Sequence, residues 1–197
     1  MDNKSKLIDF AEHLKQADGL LITAGAGMGV DSGLPDFRGD QGFWKAYPPL
    51  KHLGKNFVDM ATPELFHTNP KLAWGFYGLR LNAYRAVEPH QGFHILKQWS
   101  DTLPNLKNSA FVFTSNVDGE FQKVGFKDDN VFECHGSIHW LQCLENCTQD
   151  IWSSDDFKPV VDKEYCQLIN DFPTCPHCRG MARPNILMFG DWHWQSQ

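Results

Sequence analysis

Leu20-Leu21-Ile22-Thr23-Ala24-Gly25-Ala26-Gly27 is the stretch on which the fold turns. A short apolar, partly β-branched run that stops in two glycines reads as a buried parallel strand entering a glycine loop. Upstream, Leu7, Phe10, Ala11 and Leu14 recur at helical spacing within residues 5–17, and Asp18-Gly19 supplies a stop. Downstream, residues 31–49 mix glycine, proline and aromatic side chains and are expected to form a long ordered loop. Asn69-Pro70 has the form of an N-cap followed by proline in the first turn, and Leu72, Phe76, Leu79 and Ala83 mark the core face of the helix behind it. A further helix is expected over residues 92–99. Residues 110–114 and 131–133 read as buried-type strands, and 185–189 as another apolar strand. Strands and helices alternate, which predicts an α/β fold with a parallel sheet.

The chain has 197 residues, enough for one domain or one domain with a small insert. With 18 Lys+Arg against 24 Asp+Glu its formal net charge is −6, which argues against nonspecific binding of nucleic acid or an anionic membrane. No run approaches the roughly 18 apolar residues of a spanning helix. The opening MDNKSKLIDF lacks the apolar region of a signal peptide, so a cytoplasmic location is expected, with no nucleic-acid or membrane partner. Without an export signal, Cys134, Cys143, Cys147, Cys166, Cys175 and Cys178 do not suit a disulfide framework.

Three groups of residues carry chemistry. The glycine loop lets phosphates approach backbone amides, or serves as a tight turn. It is not a dehydrogenase fingerprint, because Val30 stands where G-x-G-x-x-G needs its third glycine and no acidic residue closes a second strand about 20 residues on. Cys143-x3-Cys147 and Cys175-x2-Cys178, 27 residues apart, can bring four thiolates onto one structural Zn²⁺, the alternative being four separate buried thiols. His177, inside the second pair, is a poor ligand there, and Cys134 and Cys166 read as small core residues. Residues 114–118 and 133–137 each follow a predicted strand, so Asn116, Asp118 and His135 meet at the carboxyl edge of the sheet, where α/β folds bind ligands. A histidine there can act as a general base near neutral pH, or be a hydrogen-bonded structural residue. Finally, Tyr77 and Arg80 share a helix face. A phenol beside a guanidinium suits a carboxylate, unless it is a surface arginine next to a core tyrosine.

Taken in order, these motifs resemble the sirtuins, the NAD-dependent protein-lysine deacylases. Gly25-Ala26-Gly27-Met28-Gly29-Val30-Asp31-Ser32-Gly33-Leu34-Pro35-Asp36-Phe37-Arg38-Gly39 resembles their signature loop. Residues 114–118 resemble their Gln-Asn-Ile-Asp strand end, His135-Gly136 their His-Gly, the cysteine pairs their zinc module, and Phe189-Gly190-Asp191 their Phe-Gly-Glu substrate strand. The resemblance implies a Rossmann-like parallel sheet with helices on both faces (residues 1–138 and 184–197) and a small zinc-ribbon-type module (139–183). It implies NAD as co-substrate, held by Gly25, Ala26, Gly27, Asp36, Phe37, Arg38, Ser115, Asn116 and Asp118, and a structural Zn²⁺ on Cys143, Cys147, Cys175 and Cys178. An acylated-lysine protein or peptide would lie as an extended strand near Phe189 and Gly190. The acyl oxygen would attack the anomeric carbon as nicotinamide leaves, with His135 as general base on the way to O-acyl-ADP-ribose and free lysine. Tyr77 and Arg80 resemble the Tyr-x-x-Arg pair of sirtuins that prefer succinyl, malonyl or glutaryl groups, so acidic acyl groups are expected over acetyl. Alternatives are an NAD hydrolase or ADP-ribosyltransferase, and a noncatalytic zinc-bearing binding module.

The sequence departs from the pattern at Gly29, where the family has Ser, at Ser115 (Gln) and at Asp191 (Glu), shortening side chains at the expected site. The family also continues past Phe-Gly-Glu, with a Gly-Thr-Ser loop and a later Asn segment. The resemblance therefore implies that the last strands of the sheet are missing here, leaving an apolar edge exposed.

Overall fold

The computed structural model describes residues 2–35, 39–106 and 110–196. Helix α1 (Asn3–Gln16) starts from Asp2, whose carboxylate accepts the Ser5 N–H at 2.8 Å. Strand β1 (Leu20–Ala24) follows as predicted. The expected loop over residues 31–49 is a correction: a 3₁₀ turn at Val30–Ser32 leads to helices α2 (Gly39–Ala46) and α3 (Pro48–His52). Burial explains them. Phe43, Tyr47 and Leu50 turn inward, with the Phe43 and Tyr47 rings 5.8 and 5.1 Å from that of Phe76. Pro48 opens α3 where a missing N–H leaves nothing unsatisfied.

Two short helices, α4 (Phe57–Met60) and α5 (Pro63–Thr68), precede the long α6 (Pro70–Ala86). Asn69 Oδ1 accepts the Leu72 N–H at 3.2 Å, so the predicted cap is present. Then come α7 (Gln91–Thr102), β2 (Ala110–Thr114), α8 (Glu120–Lys123) and β3 (Val131–Glu133). Strands β1, β2 and β3 form a parallel sheet in that order. Ala24 pairs with Thr114 and Thr114 with Glu133, so the three carboxyl ends are level. On one face Phe93 of α7 and Phe121 of α8 pack on Ile22, Ala110 and Val112. The other face was also expected to carry helices. Among the described residues it presents Leu21, Phe111, Phe113 and Phe132, at 66, 41, 43 and 43% exposed.

The rest of the chain is antiparallel. Strand β4 (Gly136–Cys143) lies between β5 (Ile151–Ser153) and β8 (Ala182–Ile186), and β6 (Val161–Asp162) pairs with β7 (Gln167–Leu168). The strand expected over 185–189 thus begins three residues earlier and runs against β4, with all five of its residues buried. Residues 187–189 continue extended: Leu187 N–H donates to His135 O and Phe189 N–H to Ala61 O, both at 2.9 Å. Asp191 turns inward to Arg183 (2.8 and 2.9 Å), so its shortened side chain fixes this segment from behind. No described helix is long and apolar enough to cross a membrane.

Helix α6 is the centre of the larger core. A Cβ on Gly75 would sit 2.0 Å from the carbonyl oxygen of Cys166, and one on Gly78 would sit 2.9 Å from Pro159. Asn82 and Arg85 donate to the carbonyls of Pro159 (2.9 Å), Phe157 (2.7 Å) and Ser154 (2.6 Å). Backbone cannot yield as a side chain tip can, so Gly75→Ala is expected to destabilise the chain by roughly 2 kcal/mol or more. Urea unfolding should show a lower midpoint at unchanged slope. An unshifted midpoint would mean that α6 and the Cys166 turn are not in contact.

Candidate functional site

The level strand ends bring the predicted polar residues together. Ser115 N–H donates to Ala24 O at 3.1 Å, and Asn116 Nδ2 donates to Gly25 O at 3.1 Å, which ties the glycine loop to the end of β2. Within the loop, Met28 N–H closes a turn on Gly25 O at 2.8 Å, and Val30 N–H on Gly27 O at 3.4 Å. Asp118 Oδ1 accepts the Glu120 N–H at 3.0 Å, while its own carbonyl oxygen lies 2.8 Å from His139 Nε2. His135 is exposed, with Nδ1 3.2 Å from Ser115 O. A proton on Nδ1 makes that hydrogen bond and leaves the Nε2 lone pair for base chemistry.

A cavity of about 450 Å³ opens between these strand ends, α6 and residues 186–189. Ala26, Ser115, Asn116, Asp118, His135, Tyr77, Arg80 and Phe189 all line it. Gly25 and Gly27 lie in the adjoining turn, and Gly190 borders a neighbouring groove with Phe189. Asp36, Phe37 and Arg38 fall outside the described residues. Leu34, Phe57, Ile186 and Met188 give the cavity an apolar wall. At its inner end Tyr77 is fully buried and Arg80 is 5% exposed, which excludes the surface-arginine alternative. Tyr77 Oη has no hydrogen-bond partner among the described residues, and burial pushes its phenol up to about 12.

Tyr84 escaped the sequence reading, although it stands four residues beyond Arg80 on the same stripe of α6. It lines the cavity, and its Oη accepts from Arg80 Nε at 3.2 Å and Nη2 at 3.0 Å. The carboxyls of Glu120 and Glu133, buried near the expected Asp118, also went unseen. Asp118 is raised by burial, and Glu120 and Glu133 by burial and by the charge of Asp118.

The cysteine pairs meet elsewhere. Cys143, at the end of β4, and Cys147 form one turn, and Cys175 and Cys178 the other. Left-handed Asn146 (φ 51°) and Arg179 (φ 63°) tighten them. All four sulfurs lie within 4.8 Å of one another, with Cys143–Cys178 at 3.7 Å and Cys147–Cys175 at 3.6 Å. Thiolates bound tetrahedrally at about 2.3 Å from Zn²⁺ are about 3.8 Å apart, so the four fit a structural zinc site. His177 turns away to Asp150 at 3.0 Å, and Cys134 and Cys166 are outside the cluster.

Two outcomes follow from this geometry. The purified chain should carry about one zinc per molecule, and chelation should lower its thermal midpoint. A metal-free chain of unchanged midpoint would exclude the site. Separately, burial, reinforced by Asp118, moves the Glu133 carboxyl from an ordinary 4.5 up to about 7. Between those values the folded chain holds a proton that the unfolded chain has lost, so stability falls as pH rises through the window. Relative to wild type, Glu133→Gln should therefore gain about 1–3 kcal/mol between about pH 5 and about pH 8. Parallel urea-unfolding profiles for the two proteins would contradict the burial of this carboxyl.

Comparison with known proteins places these features. A Sir2 family profile matches residues 25–196. The NAD-dependent protein deacylase of Aquifex aeolicus is 31% identical over 172 residues, which is 87% of this chain and 62% of that protein. The mitochondrial NAD-dependent protein deacylase sirtuin-5 of Danio rerio is 31% identical over 198 residues, 95% of this chain and 62% of that one. The solved structure of a Sir2 homologue in complex with NAD superposes with a TM-score of 0.68 at 26% identity, over 97% of this chain and 63% of the other. The chain thus spans less than two thirds of the length of these relatives, and it belongs to the Sir2 family.

Proposed function

We propose that this chain is an NAD-dependent protein-lysine deacylase that removes acyl groups ending in a carboxylate, such as succinyl or malonyl, more readily than acetyl. The observation that carries this reading is the buried, unpartnered Tyr77 hydroxyl beside Arg80 in the wall of the cavity. An acetyl methyl would leave that donor unsatisfied and buried, whereas a carboxylate would accept from it next to a permanent cation. The similarity to a sirtuin-5 deacylase and to a Sir2 homologue that binds NAD supports the same reading.

NAD supplies an ADP-ribosyl group whose nicotinamide is a good leaving group. The proposed roles of the chain are to bind, orient and exclude water. Gly25, Ala26 and Gly27 present backbone to phosphates, with Asp36, Phe37 and Arg38 covering the nicotinamide side. Ser115, Asn116 and Asp118 hold the ribose and nicotinamide end. Phe189 and Gly190 receive the substrate backbone as an added strand, and the apolar wall takes the lysine stem. His135, with its Nδ1 proton on Ser115 O, removes a proton from a ribose hydroxyl through Nε2. In this reading residues 1–138 and 184–197 make up the NAD-binding part and 139–183 the zinc-bearing part, and a reducing cytoplasm keeps the four thiols available to metal.

Wild-type protein should release nicotinamide only when an acyl-lysine peptide is present, and His135→Tyr should slow formation of free lysine roughly 10²–10⁴-fold. Succinyl peptides should be processed with a higher kcat/KM than acetyl ones, and Arg80→Met should erase the difference. An acetyl preference unchanged in Arg80→Met would overturn the acyl assignment. Peptide-independent release of free ADP-ribose would identify an NAD hydrolase instead.

A further inference from the structure

We infer that Tyr84 is a specificity-determining residue for the acyl carboxylate: it positions the Arg80 guanidinium and, with Tyr77, offers a second phenol proton to the acid. This rests on the deacylase reading above and adds to it a residue outside the Tyr-x-x-Arg pair.

Tyr77, Arg80 and Tyr84 stand at i, i+3 and i+7 of α6 and line the same cavity. Arg80 Nε and Nη2 both donate to Tyr84 Oη, at 3.2 and 3.0 Å, a two-pronged bond that sets the plane of the guanidinium. Its central carbon also lies 5.4, 5.5 and 5.4 Å from the ring centroids of Phe76, Tyr77 and Tyr84, so the aromatic faces hold the cation in place. A phenol has two acceptor lone pairs and one O–H. The two Arg80 bonds use the acceptor side of Tyr84, and its hydroxyl proton meets no acceptor among the described residues. Tyr77 Oη is in the same condition.

Two buried phenol protons flanking one buried cation form a cradle for an acceptor that brings two oxygens and a negative charge. A carboxylate has both and no donor of its own. The methyl end of an acetyl group has neither, and each unsatisfied polar group counts against it. Removing the Tyr84 hydroxyl would cost one of the two donors and the orientation of the guanidinium together.

The test is calorimetric titration of the whole chain, without NAD, with two peptides that differ only in a succinyl or acetyl group on the same lysine. Wild type should favour the succinyl peptide, and Tyr84→Phe should lower the succinyl-to-acetyl affinity ratio about tenfold, the size expected for one hydrogen bond to a charged group. A purely structural tyrosine would weaken both peptides alike, so a ratio that survives Tyr84→Phe overturns the inference. Arg80→Lys provides a second reading should Tyr84→Phe not fold. It keeps the charge but loses the two-pronged bond to Tyr84, so the ratio should fall again, and a retained ratio counts against the positioning role. A wild-type chain that binds the succinyl peptide no better than the acetyl one overturns the acidic-acyl reading itself, and the role of Tyr84 with it.

Discussion

The close approach of α6 to the backbone around Cys166 is the constraint on which the arrangement of this chain depends. Gly75 and Gly78 remove the side chains that would hold the two apart, and Asn82 and Arg85 then reach carbonyls of residues 154–159. A helix clamped along one side has its rotation fixed, and the residues on its other faces follow. Trp74 Nε1 donates to Ala182 O at 3.1 Å, which locks α6 to β8 as well. With both sides held, the stripe of Tyr77, Arg80 and Tyr84 has one place to go, the inner end of the cavity. Moving the helix by one methyl group would move a guanidinium relative to strand ends that belong to another part of the chain.

The parallel sheet sets the opposite wall with equal economy of parts. Because Ala24, Thr114 and Glu133 are in register, the loops that follow β1, β2 and β3 emerge at one height. The Asn116–Gly25 hydrogen bond then fastens two of those loops together, and the Leu187–His135 bond brings the segment after β8 alongside the third. A site that binds and orients a ligand needs its groups held within about 0.5 Å. One bond from a short side chain and one between backbones hold such positions better than long side chains do.

Much of this was legible in the sequence, for identifiable reasons. Strands β2 and β3 came out at their observed limits because their β-branched and aromatic runs are short and end in polar residues. The cap at Asn69 was readable because cap chemistry is local. The cysteine cluster was readable because metal geometry demands close pairs. The misreadings are equally physical. Helix α2 carries Gly39 and Gly42 within eight residues and is stabilised by burial of Phe43 against Phe76, a contact invisible in its own sequence. The antiparallel direction of β8 is a property of its partner β4 and not of Ala182–Ile186. At the site, Ala26, Tyr77, Arg80, Ser115, Asn116, Asp118, His135 and Phe189 line one cavity, while Gly190 borders a neighbouring groove. Tyr84 was missed because an aromatic at helical spacing ordinarily means core, and nothing short of its contact with Arg80 distinguishes it.

Burial gives the cavity its power to discriminate and also limits the charge it can hold. Burial raises the carboxyls of Asp118, Glu120 and Glu133, and the charge of Asp118 raises the other two further. In such surroundings every added negative charge is opposed by those already there. Arg80 opposes that field, and its charge holds Asp118 down as well. The same low dielectric that strengthens a well-placed charge pair penalises an unpaired charge.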